Sequence, residues 1–164
     1  ENSLAKVAVE LAKKNGRKVV LATNPVFPID ALVRLKWTGL DIDDFDYVTH
    51  YSNSSFSKPN PKYYLDLCKK LNVEPKDCLM IGNDERQDIF AASSAGMNCY
   101  LVTDYLYTYP ECKVNCEKGS FKDLIEKLKS VPTKKINILA TYTALLQLRK
   151  DLAKHGYLKE GMTS

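Results

Sequence analysis

Three stretches of this 164-residue sequence place polar side chains directly beside short apolar runs. Thr23 and Asn24 follow Val19-Val20-Leu21-Ala22, Lys58 precedes Pro59-Asn60-Pro61, and Asn83 and Asp84 follow Leu79-Met80-Ile81-Gly82, with Asp88 four residues further on. A hydroxyl, an ammonium and two carboxylates are the parts that handle a transferring phosphoryl group. Paired carboxylates are hard oxygen ligands that select Mg²⁺, which keeps its waters and bridges to a phosphate. The metal and Lys58 would oppose the anion's charge, while Thr23 and nearby backbone N–H groups bond its oxygens. Taken singly, each part also reads as an ordinary turn, a solvated loop lysine or a helix cap.

These residues must be held by regular elements, and the hydrophobic pattern supplies them. Residues 4–15 put Leu4, Val7, Ala8, Leu11 and Ala12 on one helical face, with Gly16 as the stop. The run 18–22 predicts a buried strand, and Pro28 opens a helix that Gly39 ends. Residues 46–51 read as another strand, and 61–71 as a helix carrying Tyr64, Leu67, Cys68 and Leu71. Residues 78–82 form a fully apolar strand, followed by an acidic turn, a helix and Gly96. A strand at 98–103, a loop, and a helix capped by Ser120 and Asp123 complete the series. Strands alternating with helices predict an α/β fold, a parallel sheet with helices on both faces. In such a sheet ligands bind beyond the carboxyl ends of the strands, where all three polar clusters fall.

Beyond Pro132 the composition changes. Leu139, Tyr142, Leu145, Leu146, Leu148 and Leu152 make a broad apolar side, so a core domain over 1–132 is followed by an amphipathic helical tail over 133–164. The tail is expected to dock on the sheet or to cover a second subunit.

Composition closes off other classes. The 45% apolar and 27% charged fractions are those of a globular domain. No apolar stretch approaches a membrane span, so no membrane partner is expected. The net charge of +4 comes from basic pairs spread along the chain, not gathered into a nucleic-acid footprint. Five cysteines without a CxxC pair, and only His50 and His155 beside them, argue for reduced thiols in a cytoplasmic protein.

In their order and spacing the motifs resemble the haloacid dehalogenase-like hydrolase superfamily, over about residues 4–131. VVLATNP resembles the family's second motif, SKPNPKYY its third, and LMIGNDERQDIFAASSAGM its fourth. The resemblance implies a Rossmann-like three-layer core and a Mg²⁺-dependent phosphatase, a phosphoric monoester hydrolase acting on a small phosphorylated metabolite. It nominates Thr23 and Lys58 as catalytic, Asn24 as substrate-binding, and Asp84 and Asp88 for the metal. Many members have Gly-Asp where this chain has Gly82-Asn83-Asp84, so either Asn83 or Asp84 is the direct ligand, and charge favours Asp84.

The family's first motif, Asp-x-Asp-x-Thr at the tip of an N-terminal strand, has no counterpart. Asp41-Ile42-Asp43-Asp44 lies after the second motif, follows no apolar strand, and reads as a polar turn. The chain is therefore expected to be part of a larger hydrolase, to lack a central strand, and to be inactive alone. In the parent, the missing aspartate would form an aspartyl-phosphate that water hydrolyses. Beyond the substrate, the partners expected are a preceding segment of the parent or a second subunit on the tail. A non-catalytic binding domain on the same fold is the alternative reading.

Overall fold

The computed structural model describes residues 4–24, 27–37, 39–130 and 137–140. Helix α1 (Leu4–Lys14) buries Ala5, Ala8, Val9 and Ala12 and ends at Gly16, whose φ of 69° is the left-handed conformation that glycine adopts without strain. Strand β1 (Val19–Leu21) is entirely buried. Helix α2 (Pro28–Trp37) starts on its proline, and strand β2 is the short Tyr47–Val48. Helix α3 (Pro61–Leu71) is capped by the Asn60 side chain, which accepts from Lys62 N–H, and closes on Asn72 in the left-handed region. Strand β3 (Cys78–Gly82), a π-helical turn over Glu85–Phe90, helix α4 (Ala91–Ser94) and strand β4 (Asn98–Val102) follow. Strand β5 (Glu117–Gly119), helix α5 (Phe121–Ser130) and strand β6 (Asn137–Ala140) complete the order.

The six strands among the described residues are all parallel, in the order β2-β1-β6-β3-β4-β5. Alternate residues of each buried strand serve opposite faces. Val19, Leu21, Leu79 and Ile81 join buried residues of α1, α2 and α5, whereas Val20, Ala22, Cys78 and Met80 join those of α3 and α4. The three-layer α/β/α arrangement expected from the sequence is therefore present, with a core on each side of the sheet. No helix among the described residues is long and apolar enough to cross a membrane.

Two elements depart from the sequence reading. Glu117–Gly119 was expected as loop and is a short edge strand, too polar to show an apolar run. The larger correction concerns the tail. Asn137–Ala140, expected within an amphipathic helix, is a strand at the centre of the sheet, and the rest of 133–164 lies outside the described residues. Ile138 pairs with Val19 and Leu79, and Ala140 with Leu21 and Ile81. The apolar spacing that suits a helical stripe also contains Ile138-Leu139-Ala140, and a slot with backbone partners on both sides outweighs so short a helical preference. The missing central strand is thus supplied from within this chain.

Because β6 bonds to both neighbours, among the described residues it is all that joins the pair β2-β1 to the trio β3-β4-β5 through the sheet ladder. Proline at a central position removes a ladder donor and clashes with the adjacent strand. Leu139→Pro should therefore cost about 3 kcal/mol or more. Urea denaturation followed by circular dichroism would read this as a lower midpoint; an unchanged midpoint would show that β6 contributes nothing to the sheet.

Candidate active site

The carboxyl ends of β1 and β3 flank that of β6, so polar residues following them share one rim of the sheet. Thr23 is held by its backbone. Its N–H donates to Thr49 Oγ1 at 2.8 Å, and the Tyr63 hydroxyl donates to its carbonyl at 2.7 Å. The Thr49 and Tyr63 oxygens lie 2.8 Å apart, closing a buried triangle between β1, the tip of β2 and α3. Burial pushes the Tyr63 phenol well above its ordinary range, so it stays a neutral donor. The Thr23 hydroxyl itself makes only a long 3.3 Å contact with the Asn24 carbonyl. A backbone this constrained presents a side chain still able to donate elsewhere.

Asn24 links three segments. Its Oδ1 accepts from Lys58 N–H at 2.8 Å, and its Nδ2 donates to Gln87 Oε1 at 2.9 Å. Lys58 is thereby fixed at the backbone, and its Nζ donates to Asp88 Oδ1 at 2.9 Å with both side chains only 4% exposed. The ammonium also lies 5.9 Å from the centre of the Tyr63 ring. Gly82 makes room for this pair, because a Cβ there would overlap the Asp88 side chain. The π-helical turn completes the arrangement: Ile89 N–H reaches back to Asp84 O, and Tyr64 donates to the Gln87 carbonyl at 3.0 Å.

The acidic residues divide by role. Asp88 Oδ2 accepts from Asp84 N–H at 3.2 Å, and Oδ1 is taken by Lys58. Asp84 is an N-cap: Oδ1 accepts from Arg86 and Gln87 N–H at 3.0 and 2.7 Å. Its Oδ2 accepts from Gln87 Nε2 at 3.2 Å and from the Tyr109 hydroxyl at 3.0 Å. Arg86 stacks over the Tyr109 ring at 4.6 Å, covering that side. Asn83 differs, being 1% exposed with Nδ2 bonded to Tyr105 O at 2.6 Å and Oδ1 without a hydrogen-bond partner among the described residues.

Of the residues chosen from sequence, Thr23, Asn24, Lys58 and Asp88 join one hydrogen-bonded network, and Asn83 follows the glycine that packs on Asp88. Asp84, favoured as a metal ligand on charge, spends both oxygens on the helix cap and Tyr109, and Asn24, expected to contact substrate, spends both ends of its amide on the scaffold. Thr49, Tyr63, Gln87 and Tyr109 were not singled out from the sequence. Thr49 had a signal, since it follows Val48 as Thr23 follows an apolar strand; the other three had none. His50 caps a short turn, its Nδ1 accepting from Ser52 N–H at 3.3 Å, and His155 lies outside the described residues.

The donor set can be tested against Mg²⁺. A hard divalent ion takes oxygen ligands, and Mg²⁺ is usually held by one or two carboxylates beside waters and substrate oxygens. Here one carboxylate is saturated by donors, the other is neutralised by an ammonium, and the unpartnered oxygen is a neutral amide. Among the described residues no group of three or more His, Cys, Asp or Glu side chains could hold a metal. These residues alone do not fit resident Mg²⁺.

The fold is matched in known proteins. Residues 3–96, more than half of the chain, match the model of the haloacid dehalogenase-like hydrolases, and the chain belongs to that family. It is 33% identical over 116 residues to phosphoglycolate phosphatase of Yersinia pestis, covering 68% of this chain and 48% of that protein. It is 32% identical over 97 residues to hexitol phosphatase B of Escherichia coli K12, covering 58% of this chain and 41% of that protein. The crystal structure of a HAD phosphatase from Thermococcus onnurineus superposes with a TM-score of 0.62 at 26% identity, covering 78% of this chain and 57% of that one. The chain thus spans about half the length of the relatives it matches.

Gly82→Ala tests the site's geometry. The added methyl must displace Asp88 from Lys58, and breaking a buried pair costs about 3–5 kcal/mol. The urea midpoint should fall accordingly, whereas a loss within about 0.5 kcal/mol, as for an ordinary surface change, would show that Asp88 does not need this space.

Proposed function

We propose that this chain is the phosphate-binding part of a phosphatase, a phosphoric monoester hydrolase for a small phosphorylated metabolite. The observation that carries the reading is Lys58, a buried ammonium fixed at its backbone by Asn24 and at its head by Asp88, on the same network as Thr23. An ammonium has three donors and Asp88 accepts one, which leaves donors for a phosphoryl oxygen. The Thr23 hydroxyl can exchange its long contact with the Asn24 carbonyl for a second such oxygen. Preorganised donors of this kind, in a site shielded from water, stabilise charge that builds up in a phosphoryl-transfer transition state. The relatives named as phosphatases support the same reading.

The two acids of this rim do not serve as nucleophile in the proposal, since Asp84 caps a helix and Asp88 holds Lys58. The covalent step belongs to an aspartate of the larger protein, as the resemblance implies, giving an aspartyl-phosphate that water then hydrolyses. This chain by itself binds phosphate weakly and turns over nothing.

Inorganic phosphate should therefore bind with a Kd on the order of 1–10 mM, read as a rise in thermal midpoint with concentration. The neutral pair Lys58→Met with Asp88→Asn, which leaves no buried charge behind, should abolish that rise. Mg²⁺ alone should leave the midpoint unchanged. Equal phosphate stabilisation of the wild type and the folded double variant would remove Lys58 from the reading.

A further inference from the structure

Away from the rim, α3 and β3 meet through two thiols. Cys68 and Cys78 place their Sγ atoms 3.8 Å apart, both side chains buried in the core on the α3–α4 face. Cys68 stands in the last turns of α3, and Cys78 is the first residue of β3. The backbone between them turns tightly, with Val73 N–H bonded to Cys68 O at 3.1 Å, and Cys78 Sγ directed to Glu74 O at 3.4 Å. A cavity of about 380 Å³ opens beside them, lined by Leu65, Cys68, Asn72, Val73, Glu74 and Pro75. Cys68, 2% exposed, is thus among the residues that separate this space from the two sulfurs.

We propose that Cys68 and Cys78 are a modification site at which a low-molecular-weight disulfide installs a reversible intramolecular disulfide. The Cys68 thiolate attacks one sulfur of the reagent, whose S–S bond breaks and releases one thiol, leaving a mixed disulfide on Cys68. The Cys78 thiolate then attacks the Cys68 sulfur and expels the second thiol. Two protein thiols are oxidised, one small disulfide is reduced to two thiols, and the two protons leave with those thiols. The second step is intramolecular between sulfurs already in contact, so a high effective concentration drives it. The first step is slow, because the hydrogen bond to Cys78, and then burial, push the Cys68 thiol far above its ordinary pKa. The site is consequently inert to brief exposure and responds to a sustained oxidising poise.

The product ties the carboxyl-terminal half of α3 to the start of β3. The amino-terminal half of the same helix carries Tyr63 and Tyr64, which hold the Thr23 and Gln87 carbonyls, while β3 leads to Asn83 and Asp88. Closing a loop between positions ten residues apart also restricts the unfolded chain.

The test incubates the folded full chain with oxidised glutathione, blocks remaining thiols with an alkylating agent, and maps tryptic peptides without reduction. The expected product links the peptide Tyr63–Lys69 to the peptide Asp77–Arg86, disappears on treatment with dithiothreitol, and raises the thermal midpoint by about 5 °C. Cys78→Ala should instead trap glutathione on Cys68, and Cys68→Ser should prevent the link. Recovery of Cys68 and Cys78 as alkylated thiols while Cys112 or Cys116 carries glutathione would overturn the proposal. So would a link that forms only in denaturant.

Discussion

Burying an ammonium and a carboxylate together is costly unless their geometry is close and their remaining bonds are satisfied. The pair formed by Lys58 and Asp88 is the constraint around which this rim is organised. It explains the glycine at position 82, whose absent Cβ is the space that Asp88 occupies. It explains why Asn24 is turned to the Lys58 backbone and not to solvent, and why the segment after Asp84 adopts a π-helical turn that brings Asp88 inward. Asp84 then serves as the cap that makes this turn possible, and Tyr109 and Arg86 close over it.

The pair also spans the molecule. Thr23, Asn24 and Thr49 belong to the β1–β2 side of the sheet, Asn83 to Asp88 to the β3 side, and Lys58, in the loop before α3, lies with Tyr63 of that helix between them. Two kinds of connection hold these halves in register: the side-chain network at the rim and the backbone of β6 at the centre. The dependence on β6 is unusual, because a four-residue segment near the end of the chain completes a sheet whose other strands all precede it. Ala22 N–H bonded to Ala140 O at 2.8 Å brings that segment to the residue before Thr23. Fold and site therefore meet at this hydrogen bond as well as at the rim.

Much of this was legible from the chain itself. Apolar runs with polar tips located β1 and β3, Gly16 and Gly96 marked helix ends where φ is positive, and the Ser120–Asp123 pair caps α5 as its spacing implied. The local code was sufficient there because each signal is satisfied by near neighbours. It failed where the decision is made at a distance. Asn137–Ala140 is a strand only because two other strands await it, and periodicity cannot see them. Glu117–Gly119 carries no apolar run, so only its pairing with β4 defines it. Nor could formal charge, which favoured Asp84 over Asn83 as a ligand, show the hydrogen bond that Asp84 accepts from a tyrosine 25 residues away.

The central claim is that Lys58 and Asp88 act as one unit and hold the rim together. A double-mutant cycle of Lys58→Met and Asp88→Asn, measured by urea denaturation, tests it most directly. Each single change leaves a buried group without its partner, so the account predicts a coupling energy of about 2–3 kcal/mol, with the double variant more stable than either sum would allow. Effects that add to within about 0.5 kcal/mol would contradict it, since independent sites behave that way.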